Sequence, residues 1–513
     1  MAAGLGKVGV FRNHLVRCAL QNSGCGKAQC LITLLAWGRN TVTASDLHAA
    51  MAGARKYRDT NVKRVIDGTG LSGKLGAVVL GMSLVAQPLS AQTTSNTGPV
   101  DLTRQVQLAP VTAPPAVTVA APLPPLPVPH WSQTDAQSLL AAIKGIGADG
   151  LIPKDYQPEL LSAAIVKGEG PELDEIATRL FTWLAEDLRD GRTPMTARVQ
   201  WFAVDPDQDV NPTSLILADA LVRRDIKGAL MALAPTVPDY AALKAALPKA
   251  QTPKQAALIR ANMDRWRWLA RDLGTQYLLA NVPEQMLRMT VRNKIIKTYK
   301  VVVGKPGRTA TPQLAETVEG VIFNPTWTVP QSIVVGEGLG ARLVNNPRQA
   351  AREGYKVTKL SDGMIVVVQQ PGDSNALGRM KLDMPNEHAI FLHDTPSKAA
   401  FNLPSRALSH GCVRVEGATE LAMTMAILGA GMTPDDAIAA HTSKTYTKVP
   451  MTKTFPVYLT YFTMARDVNG MLRSFPDIYN RDAPVMASFA QPRQAHTAQR
   501  KSTEEVIKLD NPL

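Results

Sequence analysis

Cys412 and two histidines close to it in the sequence are the residues best suited to chemistry in this chain. The 513-residue sequence has four cysteines, and the other three lie within the first 30 residues. His410 precedes Cys412 by two positions, and His393 closes the apolar, strand-like run 389–392. A thiol with an ordinary pKa of about 8.5 is mostly protonated at neutral pH, and a neighbouring imidazole can take its proton. The residues therefore predict a thiol nucleophile with either histidine as its base.

The residues around Cys412 extend this interpretation. In the run Ser409-His-Gly-Cys-Val-Arg414, Gly411 lets the backbone turn sharply or pass close to a substrate. The amides of Gly411 and Cys412 are then candidates to bind a developing oxyanion. Arg414 offers a cation either to a substrate carboxylate or to the nearby Glu416. The competing interpretation is a buried, inert cysteine with no chemical role.

Other groups of potential ligands or acids give weaker patterns. His388 and His393 are five positions apart on one strand, so their side chains point to opposite faces. The three early cysteines lack a second matched pair of ligands for zinc. We therefore expect no metal site and no cofactor. Glu186, Asp187 and Asp190 are expected on the solvated polar face of a helix rather than in a catalytic site.

The net charge of +13 is concentrated near the start of the chain. Residues 1–91 hold 11 basic and three acidic residues. Because the remainder shows no basic stripe and no recognised binding motif, we expect no nucleic-acid partner.

Residues 1–91 are interpreted as an N-terminal extension and a secretory signal. Basic residues precede the apolar run 75–86, and small residues follow it up to Ala91. This order is typical of an export signal, and the run is too short to span a bilayer comfortably. We expect cleavage after Ala91, with an uncleaved signal that anchors the chain in the membrane as the alternative. Met51 is an alternative start.

The remaining sequence divides by composition into four parts. Residues 92–130 are rich in proline and predict an extended linker. Residues 131–272 predict a helical scaffold domain, whose longest helix carries an apolar stripe at three- and four-residue steps: Leu173, Ile176, Leu180, Leu184 and Leu188. Residues 273–482 alternate short strand-like runs with turns and a few helices. Residues 483–513 are expected to form a flexible tail. The fold class predicted is α+β.

Several ordered segments resemble the L,D-transpeptidase family, and in particular its large periplasmic subgroup with a helical scaffold domain. The most specific is Ser409-His-Gly-Cys-Val-Arg414 with a histidine on the preceding strand. Further matching runs include Phe323-Asn-Pro-Thr-Trp-Thr-Val-Pro330, Asn375-Ala-Leu-Gly-Arg-Met-Lys381 and His388-Ala-Ile-Phe-Leu-His-Asp-Thr-Pro396. The resemblance covers roughly residues 131–482. It implies a mainly β catalytic domain of the YkuD type, with a lid inserted at residues 331–362.

The resemblance also implies roles for individual residues. Cys412 attacks the stem-peptide carbonyl before the terminal D-alanine, and His393 matches the family's catalytic histidine. The matching loop residues that line the oxyanion region are Ser409, His410 and Gly411. Arg414 and Tyr355 are candidates to bind substrate, although a Tyr355 packed inside the lid is an equal alternative.

The implied reaction is a two-step exchange through a thioester. D-Alanine leaves, and the side-chain amine of a second stem resolves the acyl-enzyme to give a 3→3 cross-link. The implied partners are peptidoglycan stem peptides, with carbapenem-type inhibitors forming adducts at Cys412. The implied location is the periplasm.

Three other functions stay open. Water could resolve the same thioester, giving an L,D-carboxypeptidase or endopeptidase, and a lipoprotein could be attached to the wall instead. A non-catalytic wall-binding scaffold is the third. Many relatives carry a separate peptidoglycan-binding module, and between Leu247 and Asn262 we find no room for one. Asp394 follows His393, but adjacent strand residues point to opposite faces, so a backbone carbonyl is the expected orienter of His393.

Overall fold

The computed structural model describes residues 129–203, 205, 207–494, 502 and 504. The predicted signal and all but the last two residues of the predicted linker lie outside the described residues. Among the described residues, none of the helices combines the length and apolar character that a membrane span requires.

Helices make up the first part of the described chain. They are α1 (Gln133–Gly145), α2 (Pro158–Lys167), α3 (Pro171–Asp190), α4 (Asp207–Val210), α5 (Thr213–Arg223), α6 (Ile226–Met231), α7 (Pro238–Ala246) and α8 (Pro253–Trp266). Ser132 caps α1 by accepting from the amide of Asp135, as its residue type predicts. The predicted apolar stripe is buried along α3 and forms the centre of the helical core. Helical periodicity therefore predicted this part of the fold correctly.

Strands dominate the second part. They are β1 (Gln276–Asn281), β2 (Met286–Val291), β3 (Lys294–Gly304), β4 (Leu314–Thr317), β5 (Gly320–Phe323), β6 (Trp327–Thr328), β7 (Tyr355–Lys359), β8 (Ile365–Gln369), β9 (Met380–Asp383), β10 (Leu392–His393), β11 (Ala407–Ser409), β12 (Val413–Val415), β13 (Thr447–Pro450), β14 (Pro456–Thr460), β15 (Met464–Arg466) and β16 (Leu472–Ser474). The helices among them are α9 (Gln331–Gly336), α10 (Leu339–Asn345), α11 (Pro347–Arg352), α12 (Ala418–Ala430), α13 (Pro434–Thr442) and α14 (Asp482–Phe489). The α+β class is confirmed.

One large sheet positions the strands that matter for chemistry. Its order is β13-β5-β9-β10-β12-β3-β2-β1-β14-β4, with β11 added beside β3. Strands β10 and β12 are parallel neighbours, although 19 residues separate His393 from Cys412 in sequence. Side chains on one face of these strands, including Leu392, Val413 and Val415, are fully buried in the domain core. Burial of that face fixes the register, because a one-residue slip would expose it.

The segment predicted as a lid, residues 331–362, forms a small unit with its own core. Helices α9, α10 and α11 pack on the three-stranded sheet β6-β8-β7. The buried side chains of this unit are Val329, Val334, Leu343, Ala350 and Val367. The lid segment and the strands beside it therefore share a small core of their own.

The chain after Asp482 differs from the predicted loose tail. Helix α14 packs on α8, and the guanidinium of Arg192 donates to the carbonyls of Ser488 and Gln491 at 2.6 Å each. Arg493 ion-pairs with Asp187 at 2.9 Å. The described part of this segment therefore fastens the helical part to the strands.

The acidic residues of α3 are also not solvated as expected. Asp187 is fully buried and accepts from Tyr156 at 2.7 Å. Asp190 is buried and pairs with Arg189 at 2.7 Å. Glu186 pairs with Arg493 at 3.2 Å. The prediction of a solvated face was wrong because Asp187 and Glu186 are paired with Arg493, which is distant in sequence, and Asp190 is buried together with its neighbour Arg189.

Candidate active site

Strand pairing brings the thiol, the imidazole and the guanidinium to one face of the sheet. Leu392 is opposite Val413, and His393 is opposite Arg414. Side chains alternate between faces along a strand, so Cys412, Arg414 and His393 share the face that lies away from the core. Cys412 and His393 are diagonal neighbours, for which standard strand spacings give about 8 Å between Cα atoms. Their side chains can approach each other across that gap.

A cavity of about 220 Å³ lies over this face. Its floor includes five of the predicted site residues: His393, Ser409, His410, Cys412 and Arg414. The lid, together with the residues just before it, lines the same cavity through Trp327, Pro330, Ile333 and Glu337. The predicted lid thus borders the predicted site.

Two predicted site residues are placed elsewhere. Tyr355 does not line the cavity and packs against the lid's own core, so the structure does not support the predicted substrate contact. Gly411 lines a smaller neighbouring pocket beside His410, together with Gln200 and Phe202 of the helical part. Its φ of 121° explains why glycine is needed, since a Cβ there would lie 2.9 Å from Ile390.

The thiol of Cys412 is held in its neutral form in the unliganded site. Its Sγ donates to the carbonyl of Ala389 at 3.6 Å. Burial raises the pKa of Cys412 to about 11, despite the opposing effects of the Phe391 amide and the cations Lys381 and Arg414. Burial therefore opposes ionisation of this thiol, and the two cations favour it.

The loop that presents these backbone groups is held by Asn386. Its side-chain amide donates to the carbonyl of Ile390 at 2.7 Å and accepts from the Ile390 amide at 3.1 Å. Ala389, between these two residues, has a φ of 52°, in the left-handed region that non-glycine residues seldom adopt. This strained turn places the Ala389 carbonyl against the sulfur of Cys412.

The imidazole of His393 is buried and neutral. Burial lowers its pKa to about 3, and the positive charges of Arg414 and Lys381 act in the same direction. Lys381 is the register partner of His393 on β9, so the imidazole lies in a cross-strand row between two cations. A neutral imidazole is the form that can accept a proton, and a ring with so low a pKa is a weaker base than an ordinary histidine.

The surroundings of the His393 ring are mainly apolar in the described structure. Its Nδ1 has no hydrogen-bond partner, while the ring of Phe391 packs against it with centroids 5.6 Å apart. The Asp394 carboxylate accepts from the amide of Arg379 at 2.9 Å and pairs with Lys398. The Asp394 carboxylate is thus used elsewhere, and the backbone of Asp394 is the neighbouring group that opposes the lowering of the His393 pKa.

Hydrogen bonds within the nucleophile loop correct the predicted oxyanion site. The hydroxyl of Ser409 donates to the carbonyl of Cys412 at 2.6 Å and accepts from the amide of Gly411 at 3.1 Å. The Gly411 amide is therefore already used. The amide of Cys412 makes no hydrogen bond to any described residue, so it is the better candidate to bind an oxyanion.

Three residues that contribute to the site were not singled out from the sequence. Thr311 donates to the carbonyl of Gly411 at 2.8 Å and so supports the loop from behind. The Nζ of Lys381 lies 4.1 Å from the ring centroid of Phe391. Glu337 reaches His410 from the lid. The alternation of β9 could have placed Lys381 on this face, whereas the other two contacts depend on tertiary packing.

Arg414 is available for a ligand. The alternative partner Glu416 instead pairs with Lys300 at 3.5 Å. No carboxylate of the described residues lies within ion-pair distance of the Arg414 guanidinium, which is partly buried at the cavity. A half-buried cation of this kind suits a substrate carboxylate. Among the described residues no cluster of three histidine, cysteine or acidic side chains could hold a metal ion.

Comparison with known protein families agrees with the sequence resemblance. Residues 275–449 match the model for the L,D-transpeptidase catalytic domain, and residues 127–247 match the model for the scaffold domain. A curated protein of Haemophilus influenzae, provisionally named an L,D-transpeptidase, is 32% identical over 225 residues. That match covers 40% of this chain and 45% of the relative, so the chain spans less than half of the relative's length.

Solved structures with partial similarity include an L,D-transpeptidase from Mycobacterium smegmatis, 12% identical with a TM-score of 0.19, covering 37% of this chain and 60% of that one. L,D-transpeptidase 1 from Mycobacterium tuberculosis is 12% identical with a TM-score of 0.16, covering 36% and 61%. These scores are too low to support a structural argument. The two family models carry the assignment: residues 275–449 belong to the L,D-transpeptidase catalytic-domain family, and a scaffold domain precedes them at residues 127–247.

Proposed function

We propose that this protein forms 3→3 cross-links in peptidoglycan through a thioester on Cys412. The observation that carries the proposal is the shared face of β10 and β12, which presents Cys412, His393 and Arg414 to one cavity. A thiol, a neutral base and a free cation at one surface are the parts that acyl transfer from a peptide needs.

In the first step the donor stem occupies the cavity with its terminal carboxylate near Arg414. The sulfur of Cys412 attacks the carbonyl before D-alanine as its proton passes to His393. The Cys412 amide stabilises the oxyanion that forms. The protonated His393, whose pKa is low, then gives its proton to the departing amine of D-alanine. The products are a thioester and free D-alanine.

In the second step the side-chain amine of another stem attacks the thioester. A new amide bond forms, the carbon–sulfur bond breaks, and the thiol of Cys412 is restored. The energy of the original peptide bond is retained in the thioester, so the exchange requires no nucleotide.

The apolar wall of the lid supports transfer to an amine over hydrolysis. Trp327, Pro330 and Ile333 line the same cavity as Cys412. Excluding water at this wall protects a thioester until an amine arrives. The same cavity is expected to admit carbapenem-type compounds, which would acylate Cys412 as mimics of the donor.

We further propose a periplasmic location, since the substrate lies outside the cytoplasm and residues 75–91 have the order of an export signal. An uncleaved signal that anchors the chain is compatible with the same chemistry. Microscopy of the full chain fused to a periplasm-competent fluorescent protein tests this location, and a cytoplasmic signal would contradict it.

The reaction is tested by incubating the purified protein with disaccharide-tetrapeptide and analysing the products by mass spectrometry. The proposal predicts dimers linked 3→3 together with released D-alanine, and neither product with Cys412→Ser. Tripeptide without dimers would instead support the carboxypeptidase. Intact substrate with the wild-type protein would favour the wall-binding scaffold.

A further inference from the structure

Glu337 forms the only link between the lid and the nucleophile loop that involves charged groups among the described residues. It follows the end of α9 and places its Oε1 3.6 Å from the Nε2 of His410. Both side chains line the cavity that contains Cys412. This contact lies within the site but has no part in the donor chemistry described above.

The polar residues of the cavity lie on either side of Cys412 in the sequence. Arg414 is two positions after Cys412, and His410, with Glu337 beside it, is two positions before. Among the residues that line the cavity, Glu337 is the one acidic side chain. The cavity is therefore cationic on the side of His393 and Arg414 and anionic at the lid.

The two substrates of a cross-linking reaction differ in the same way. The donor ends in a carboxylate, which Glu337 would repel and Arg414 would attract. The acceptor brings a primary amine that is an ammonium ion at neutral pH. A carboxylate beside the thioester suits the acceptor and disfavours a donor bound in the wrong orientation.

Building on the proposed function, we propose that Glu337 is an acceptor-binding residue and that His410 beside it takes the first proton of the acceptor amine. The ammonium binds the Glu337 carboxylate, loses one proton through His410 to solvent, and becomes the nucleophile. Its nitrogen attacks the thioester carbonyl, and its second proton goes to the sulfur as the carbon–sulfur bond breaks. The products are the amide and the free thiol, so atoms and charge balance.

The role of Glu337 in binding the acceptor can be tested with a substrate that acts only as donor and another that acts only as acceptor. The two half-reactions are then measured separately. The donor is a tetrapeptide stem with its side-chain amine acetylated, so that it cannot act as an acceptor. The acceptor is a tripeptide stem with a free amine, which lacks D-alanine and cannot act as a donor. Thioester formation is measured by D-alanine release or carbapenem acylation, and transfer is measured by dimer yield against acceptor concentration.

The test variant is Glu337→Gln, which keeps size and hydrogen bonding but removes the charge. Glu353→Gln is the matched control, because Glu353 is also a lid acid, pairs with Arg342 at 3.0 Å and does not line the cavity. Thermal stability of both variants checks that the lid stays folded.

We expect Glu337→Gln to raise the KM for the acceptor about three- to fivefold, the effect typical of a partly exposed charge, and to change this KM more than it changes the rate of thioester formation. The difference should shrink at high salt. An unchanged acceptor KM, or an equal effect of Glu353→Gln, would overturn the role of Glu337 while leaving cross-linking intact. A wild-type protein that releases D-alanine but never forms dimers would overturn cross-linking itself.

Discussion

His393 and Arg414 are register partners on adjacent parallel strands, so that an imidazole and a guanidinium project side by side into the same cavity. The cation lowers the pKa of the imidazole, and it also lowers the pKa of the nearby Cys412 thiol. Arg414 thus favours the neutral form of His393 and the thiolate form of Cys412. The predictions below follow from this pairing and from the packing that supports it.

Replacing Arg414 with methionine should make the Cys412 thiol harder to ionise. Burial raises the pKa of Cys412 and the charge of Arg414 lowers it, so removing that charge should raise the thiol pKa further. The rate of iodoacetamide alkylation, followed against pH, should fall at pH 9, and its rise should move to higher pH. Lys300→Met is the control, since Lys300 pairs with Glu416 outside the cavity. A faster reaction in Arg414→Met would contradict the electrostatic role.

Acid should destabilise the wild-type protein partly through His393. The pKa of His393 is lowered from 6.5 to about 3 in the fold, so below pH 6.5 the unfolded chain binds a proton that the folded chain does not. Above pH 6.5 protonation of His393 takes nothing from the free energy of unfolding. As the pH falls from 6.5 towards 3, protonation of the unfolded chain lowers that free energy progressively. At pH 4.5 the loss amounts to about 2–3 kcal/mol. Urea unfolding at pH 7.5 and 4.5 should show a smaller acid-induced loss in His393→Gln than in the wild type. Equal losses would show that His393 is not buried as a neutral ring.

Thr311→Val should slow thioester formation without unfolding the protein. The Thr311 hydroxyl donates to the Gly411 carbonyl and accepts from the Gly304 amide at 2.9 Å, and valine can do neither. Leaving a buried backbone group unpaired costs about 1–3 kcal/mol for each of the two groups, and it loosens the loop that carries Cys412. Carbapenem acylation rates and chemical unfolding measure the two effects. Thr424→Val, on the surface of α12, is the control and should leave both unchanged.

Arg265→Met should strongly destabilise the junction between α8 and α14. Arg265 is 2% exposed and pairs with Asp482 at 2.6 Å. Its removal leaves a buried carboxylate without its cation, which costs about 3–5 kcal/mol. Arg179→Met removes a solvent-exposed pair with Glu175 and should cost less than about 0.5 kcal/mol. Similar losses in urea unfolding for the two variants would contradict the structural role of the buried pair.

Local patterns in the sequence predicted a large part of the fold and of the site. The apolar stripe of α3 predicted a buried helix, and the capping residue Ser132 predicted the start of α1. The strand that ends at His393 and the motif around Cys412 predicted two residues that line the same cavity. Ser409 carried a further signal, because a serine often accepts from the amide two residues later, as it does from Gly411.

Contacts between distant segments could not be predicted in this way. Asp187 was expected in solvent, and its partner Arg493 is 306 residues away in sequence. The approach of Glu337 to His410 depends on how the lid docks. By contrast, α14 left a local signal that was overlooked, since Val485 and Phe489 are spaced as one face of a helix.

The central claim is that Cys412 becomes acylated by a peptidoglycan stem, and intact mass measures this most directly. Wild-type protein should be mixed with the acetylated tetrapeptide donor, quenched in acid within seconds, and compared with Cys412→Ser treated identically. The account predicts that the wild-type mass increases by the mass of the donor less D-alanine, and that the mass of Cys412→Ser stays unchanged. An equal adduct on Cys412→Ser, or D-alanine release by that variant at the wild-type rate, would contradict it.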